Sequence, residues 1–219
     1  MLKVDSRSKS APFTDSEAVY LEVRKAEGRL LPPDILRELP RVPADNPHIH
    51  EWKVRAATAD RLIRHLSRRD PPLQILDLGC GPGWMAARLA RELEATVVGV
   101  DSNRSELERG AEAFENVKGL QLIYGDIFEP IVERASFEAI IVASVLQYFP
   151  DPKGLIKRLG GLLKPHGEIL VADSPFYKPT EISAAAERTR NYYTKIGFPK
   201  MAEYYHHHTL EDLAQFNPV

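Results

Sequence analysis

Gln74-Ile-Leu-Asp-Leu-Gly-Cys-Gly-Pro-Gly-Trp84 is an apolar run that carries one acid and empties into three alternating glycines. This is the sequence form of a strand that delivers a nucleotide-like cofactor to a helix N-terminus. Glycines at 79, 81 and 83 tolerate positive backbone angles and let amide groups approach a ligand without side-chain obstruction. The helix that follows offers unpaired N–H donors at its first turn. A glycine-rich loop alone also fits an ordinary strand-to-helix turn, so its meaning depends on what flanks it.

Downstream, short apolar runs alternate with helical periodicity. The runs are Gln74 to Leu78, Thr96 to Val100, Leu120 to Tyr124, Phe137 to Ala143 and Glu168 to Ala172, with helices expected over about 84–94, 103–115 and 152–163. Such alternation implies an α/β fold, a Rossmann-like parallel sheet with helices on both faces. The firmest helix start is Asp151-Pro152, an N-cap before a proline at the first helical position, with Leu155, Ile156, Leu159, Leu162 and Leu163 on one face. Pro165-His-Gly167 reads as a stop and a turn into the last strand. Upstream, Ser6 to Arg69 reads as helical, with helices over Asp15 to Glu27 and about Pro47 to Arg68, separated by the proline-rich stretch Leu39 to Pro47. The chain therefore divides into an N-terminal helical cap, residues 1–71, and a cofactor-binding domain, residues 72–219.

Charge and glycine spacing discriminate between cofactors. The second run ends in Asp101, where a carboxylate can accept both hydroxyls of an adenosine ribose. A dinucleotide fingerprint needs G-x-G-x-x-G, whereas Gly79, Gly81 and Gly83 run G-x-G-x-G with Trp84 next. Asp77 sits badly beside a pyrophosphate and suits a cofactor bearing a cationic sulfonium and an ammonium. The sign of the charge favours adenosylmethionine over NAD.

The chain at this point resembles the class I S-adenosylmethionine-dependent methyltransferases, in particular those acting on small molecules. The resemblance runs over about residues 73–176 and rests on Ile75 to Gly83, Val98-Gly-Val-Asp-Ser102, Tyr124-Gly-Asp-Ile127, Phe137 to Leu146 and Leu163 to Val171. It implies that the loop from Gly79 through Cys80 and Gly81 to Gly83 wraps the methionine part and that Asp77 helps place it. Asp101, with Ser102 beside it, would hold the ribose, Asp126 would accept from the adenine amino group, and Ile127 would pack on the adenine ring. Ala143 to Gln147 would lie beneath the sulfonium and face the acceptor. More weakly, Trp52 would pack on the cofactor and Arg55 would meet its carboxylate, although Trp52 also reads as plain core. The implied activity is methyl transfer to a small or medium organic acceptor, with S-adenosylhomocysteine as product. After the last strand that family usually adds a helix and an antiparallel strand pair, but residues 196–219 have no strand pattern. Five parallel strands in the order 3-2-1-4-5 are therefore expected, with the terminal hairpin missing and the last edge bare, covered by residues 196–219, or paired in a homodimer.

Catalytic residues are not legible, because proximity and desolvation dominate such a transfer. His206, His207 and His208 are the candidate bases, and Tyr148 and Tyr193 the candidate polar groups of the pocket. Adjacent histidines point different ways, so no metal site is expected. Cys80, the single cysteine, is expected to contribute its backbone only. Ala143-Ser-Val-Leu-Gln147 lacks the Asn/Asp-Pro-Pro-Tyr/Phe motif of base and glutamine N-methylating enzymes. A net charge of -2 gives no general attraction to nucleic acid. With no apolar run of about 18 residues and no secretory signal pattern, membrane insertion is not expected and a cytoplasmic location is. Two other functions fit the same loop: a non-catalytic adenosylmethionine- or adenosylhomocysteine-binding partner protein, and an NAD-dependent oxidoreductase, the latter opposed by Trp84 and Asp77.

Overall fold

The computed structural model describes residues 2–7 and 15–218. Six parallel strands form one sheet: β1 (Val4–Ser6), β2 (Gln74–Leu78), β3 (Thr96–Asp101), β4 (Leu120–Tyr124), β5 (Phe137–Ala143) and β6 (Leu163–Ala172). Their order is β1-β4-β3-β2-β5-β6. The five strands read from the sequence thus keep the expected 3-2-1-4-5 order, and β1 adds a sixth at the β4 edge. This corrects the all-helical reading of the N-terminal region. Val4, Asp5 and Ser6 pair with Leu122, Ile123 and Tyr124, a contact that a three-residue segment with two polar members does not announce.

Side chains alternate across the sheet with period two. From β2, Ile75 joins the core on one face and Leu76 and Leu78 the core on the other, and Val97 and Val98 divide in the same way. The first face is covered by α3 (Ile49–Leu66), α4 (Trp84–Leu93) and α5 (Arg104–Ala113), which contribute Leu62, Leu89 and Leu107, with the short α2 (Pro33–Glu38) packed against α5. The second face is covered by α6 (Pro152–Gly160), where the Asp151 side chain accepts from the Gly154 amide at 2.9 Å and Leu155 and Leu159 are fully buried. Burial of each such leucine contributes about 2 kcal/mol.

β6 begins at Leu163, earlier than the Glu168 expected from the sequence. Pro165 to Gly167 lie inside it, at a register shift opposite Phe137 and Ala139, so the bulge absorbs the residues that read as a turn. No strand pairs with the outer edge of β6 among the described residues. After α7 (Ile182–Lys195), His208 forms an isolated bridge with Phe176, just past β6, and Leu213 joins the core cluster that includes Ile169 and Val171. This segment folds back as short 3-10 turns, and Pro199–Tyr204 packs against α1 (Asp15–Ala26) and α7.

Candidate active site

The strand ends converge at the C-terminal side of the sheet, where the order reverses between β2 and β5, the usual ligand position in this architecture. Two cavities of about 460 and 470 Å³ open there. Tyr20, Gly79, Ser144, Tyr148 and Met201 line both, so the two form one continuous trough.

The glycine-rich loop forms its floor. Gly79 has φ +66, and a Cβ there would lie 2.2 Å from Val145 Cγ2, so the loop lies directly on the segment after β5. Gly81 has φ +55, and a Cβ there would meet nothing within 4 Å, because the residue faces the first cavity. Gly83 lines neither cavity; it begins α4, with its amide donating to Cys80 O at 2.9 Å. Cys80 is buried and borders the first cavity, and burial pushes its thiol well above the ordinary range, which leaves its backbone as the contributor. Gly110 of α5 was missed by sequence reasoning: a Cβ there would sit 2.1 Å from Pro82 O, so only glycine lets α5 press against the loop.

Two acids lie beneath the loop. Asp101 holds it in shape, its Oδ2 accepting from the Gly81 amide and its Oδ1 from the Asn103 amide, both at 2.7 Å. Asn103 is the N-cap of α5, accepting from the Glu106 amide at 3.1 Å. Burial pushes Asp101 up to about 6, against those two amide bonds. Asp77 is 3% exposed and its Oδ2 has no hydrogen-bond partner. Burial, then the charge of Asp101, push it up to about 7.

Asp101, Ser102, Asp126 and Ile127 line the second cavity, and Asp77, Ala143, Gln147, Trp52 and Arg55 line the first. Asp126 also accepts from the Phe128 amide at 2.9 Å, the capping arrangement its sequence context allows. Gln147 Nε2 donates to Ser144 O at 2.7 Å, fixing the segment that joins the cavities. Trp52 is core, packed edge-on to Trp84 with centroids 5.7 Å apart, and Arg55 stacks on it at 5.3 Å.

Three guanidinium groups border the first cavity, and their free donors differ. Arg29 forks onto Glu51 at 2.5 and 2.7 Å and pairs with Glu27 at 3.0 Å. Arg55 pairs with Glu51 at 2.8 Å. Burial would raise the Glu51 carboxyl, but Arg29 and Arg55 override it and hold the group at about 2. Arg24 is different: its nearest acid, Glu106, is 3.9 Å away and its buried Nε has no hydrogen-bond partner. It was not singled out in the sequence, although Tyr20, Val23, Arg24 and Glu27 recur at the i, i+3, i+4, i+7 positions of one helix face.

The three histidines do not converge. His206 borders the second cavity and its amide donates to Gln147 O at 2.7 Å. His207 Nε2 is 2.9 Å from Thr189 Oγ1, and His208 is buried with Nε2 3.2 Å from Leu146 O. None lines the first cavity, and burial followed by the His208 charge lowers His206. Tyr148 and Tyr193 do line it, joined by Tyr20 and Tyr205. Among the described residues no group of three or more His, Cys, Asp or Glu is arranged to hold a metal ion, and no helix is long and apolar enough to cross a membrane.

A parallel sheet of this order, with an acid-floored glycine loop at its switch point, defines a Rossmann-like nucleotide-cofactor domain. The orphaned Asp77 oxygen and the unobstructed Gly81 fit a cofactor that carries positive charge beside the loop. Residues 69–214 match a methyltransferase domain family, and the chain belongs to that family. Its fold is that of the class I S-adenosylmethionine-dependent methyltransferases.

Among its relatives is a trans-aconitate 2-methyltransferase of Deinococcus radiodurans, 35% identical over 124 residues, which are 56% of this chain and 46% of that protein. A malonyl-[acyl-carrier protein] O-methyltransferase of Halalkalibacterium halodurans is 30% identical over 126 residues, 53% of this chain and 46% of that protein. The matched stretch thus spans about half the length of these relatives. The same fold recurs in phosphoethanolamine N-methyltransferase 2 of Haemonchus contortus in complex with S-adenosyl-L-methionine, with TM-score 0.63 and 16% identity over 93% of this chain and 43% of that one.

Proposed function

We propose that this chain transfers a methyl group from S-adenosylmethionine to a small organic acceptor. The observation that carries the reading is the buried Asp77 carboxyl, whose Oδ2 has no hydrogen-bond partner, under a glycine loop at the junction of two connected cavities. When bound, the cofactor supplies an activated methyl group, and the protein has only to bind, orient and dehydrate the partners.

On this reading the second cavity takes adenosine. Asp101 and Ser102 face the ribose, Asp126 the adenine amino group, and Ile127 the ring. The first cavity takes the methionine part, with Asp77 toward its cationic groups and Cys80 and Gly81 presenting backbone. Arg24, which has spare donors, is assigned the carboxylate in place of Arg55, whose donors are engaged by Glu51. Ala143, Ser144 and Gln147 bound the point where the halves meet. Gly83 shapes the turn without touching the ligand. Residues 1–71 act as a cap and residues 72–219 as the cofactor-binding domain; within those bounds Met1, residues 8–14 and Val219 lie outside the described residues. A cytoplasmic location and pairing of the free β6 edge in a homodimer belong to the same reading.

The test is calorimetric titration with S-adenosylmethionine, S-adenosylhomocysteine and NAD, beside an Asp101→Ala control. Binding of the first two, abolished in the control, supports the reading. Binding of NAD alone would replace it with the oxidoreductase, and adenosyl binding without turnover across an acceptor panel would leave a non-catalytic binding protein.

A further inference from the structure

Four tyrosines form a connected wall in the first cavity. Tyr20 and Tyr148 meet edge-on with centroids 5.5 Å apart and planes at 82°. Tyr148 and Tyr205 meet at 5.9 Å and 85°, and Tyr193 meets Tyr205 at 6.3 Å. They come from four places in the chain: α1, the 3-10 turn Leu146–Tyr148, α7 and the segment after Pro199–Tyr204. Rings at right angles present both edges and faces to a shared space, and a ring face attracts a cation.

The charges around this wall have the sign that a cation requires. Glu27, Glu51, Asp77, Glu106 and Asp173 border the cavity against Arg24, Arg29 and Arg55. Arg29 and Arg55 lie toward Glu27 and Glu51, Arg24 lies over the Tyr20 ring at 5.8 Å with Glu106 at 3.9 Å, and Asp173 accepts from Thr58 at 2.7 Å. Burial raises all four phenols, so the wall stays neutral at physiological pH. Among the described residues no histidine lines this cavity, while His206 borders the one continuous with it.

We infer that the wall of Tyr20, Tyr148, Tyr193 and Tyr205 is the acceptor site for a tertiary amine, which the chain converts to a quaternary ammonium product. The inference rests on the methyl-transfer reading above and narrows its substrate class. The amine lone pair forms the new N–C bond while the C–S bond breaks, and its electron pair stays on sulfur. The bound amine reacts as its free base, its ammonium proton having left to solvent, and positive charge passes from sulfur to nitrogen. The tyrosine faces and Asp173 then hold the product cation.

The test is titration of the protein, saturated with S-adenosylhomocysteine, with choline and with its neutral isostere 3,3-dimethylbutan-1-ol. Choline is expected to bind at least about tenfold more tightly, the discrimination a desolvated ring face gives. Tyr205→Leu is expected to weaken choline at least about fivefold and Tyr205→Phe to preserve it, with S-adenosylhomocysteine affinity in the same samples reporting that each variant is folded. Equal affinity for the isostere would overturn the inference, as would choline failing to bind while S-adenosylhomocysteine binds. Failure of S-adenosylhomocysteine itself would overturn the methyl-transfer reading and this one with it.

Discussion

Replacing Asp77 with Asn isolates the interaction that depends on the sign of the ligand's charge. The carboxyl is 3% exposed, its Oδ2 is unpartnered, and burial with the neighbouring Asp101 raises it from 3.8 to about 7. At about 1.36 kcal/mol per pH unit, that rise corresponds to about 4 kcal/mol held against the charged form. A cation about 4 Å from the carboxylate at an effective dielectric near 20 contributes about 4 kcal/mol. The two magnitudes match, so a bound ammonium or sulfonium restores the ionised acid. Asp77→Asn is therefore expected to weaken S-adenosylmethionine binding by about 10²- to 10³-fold. In the wild type, binding below about pH 7 requires proton loss from Asp77, so affinity should rise about tenfold per pH unit and then level off, whereas the variant should be flat. Ligand-free stability runs the other way. An acid with a raised folded value contributes stability below its unfolded value, near 3.8, and that contribution is lost as pH rises through about 7. Above neutrality the Asn variant should therefore melt higher than the wild type. Calorimetry and thermal melts across this window test both signs; wild-type affinity in the variant, or a wild-type profile without slope, would refute the assignment.

The two loop glycines should separate folding from binding. Gly79→Ala places a methyl 2.2 Å from Val145 Cγ2 at φ +66 and should cost about 2–4 kcal/mol in a denaturant melt. Gly81→Ala meets no protein atom within 4 Å, so it should cost only about 1 kcal/mol yet reduce S-adenosylhomocysteine affinity at least about tenfold. Arg24→Gln should weaken S-adenosylmethionine and S-adenosylhomocysteine together by about tenfold or more, with no change for 5′-methylthioadenosine, which lacks the carboxylate; equal losses for all three would show a structural role instead. Light scattering should give a mass of two chains through the free β6 edge, and a single-chain mass at every concentration would remove the dimer reading.

The sheet was legible because its signal is local. Val97-Val98 sits between helices of clear periodicity and Ile140-Ile141 ahead of one, and the acids at 77 and 101 stand at strand positions that the apolar runs locate by themselves. β1 was not legible, since Val4 is its only apolar member and its partner lies more than a hundred residues away. The histidine run was prominent in sequence, but along extended backbone neighbours face opposite sides. His206 and His208 therefore share one side with centroids 6.4 Å apart while His207 turns toward Tyr205 and Tyr177. Arg24 carries no local mark of function. Its spare donors arise only because Glu51 is taken by Arg29 and Arg55 while Glu106 is also held by Arg109 at 2.9 Å.

This division between local and assembled features separates cofactor recognition from acceptor choice. The loop, Asp77, Asp101 and Ser144 all lie on the sheet's own strand ends, where a change of position would disrupt the packing of Leu76, Leu78 and Val100. The walls of the first cavity that the proposal gives to the acceptor come instead from α1, which precedes the family-matched residues, and from Pro199–Tyr204 with Tyr205 near their end. Those walls meet each other through Met201, Tyr20 and Tyr148 and touch the sheet little. Substitutions there can reshape the pocket at little cost to the core, since Tyr20 and Tyr205 are only partly buried. Acceptor selectivity is therefore expected to transfer with α1 and residues 199–205 when grafted onto a related sheet, while cofactor affinity stays with the host.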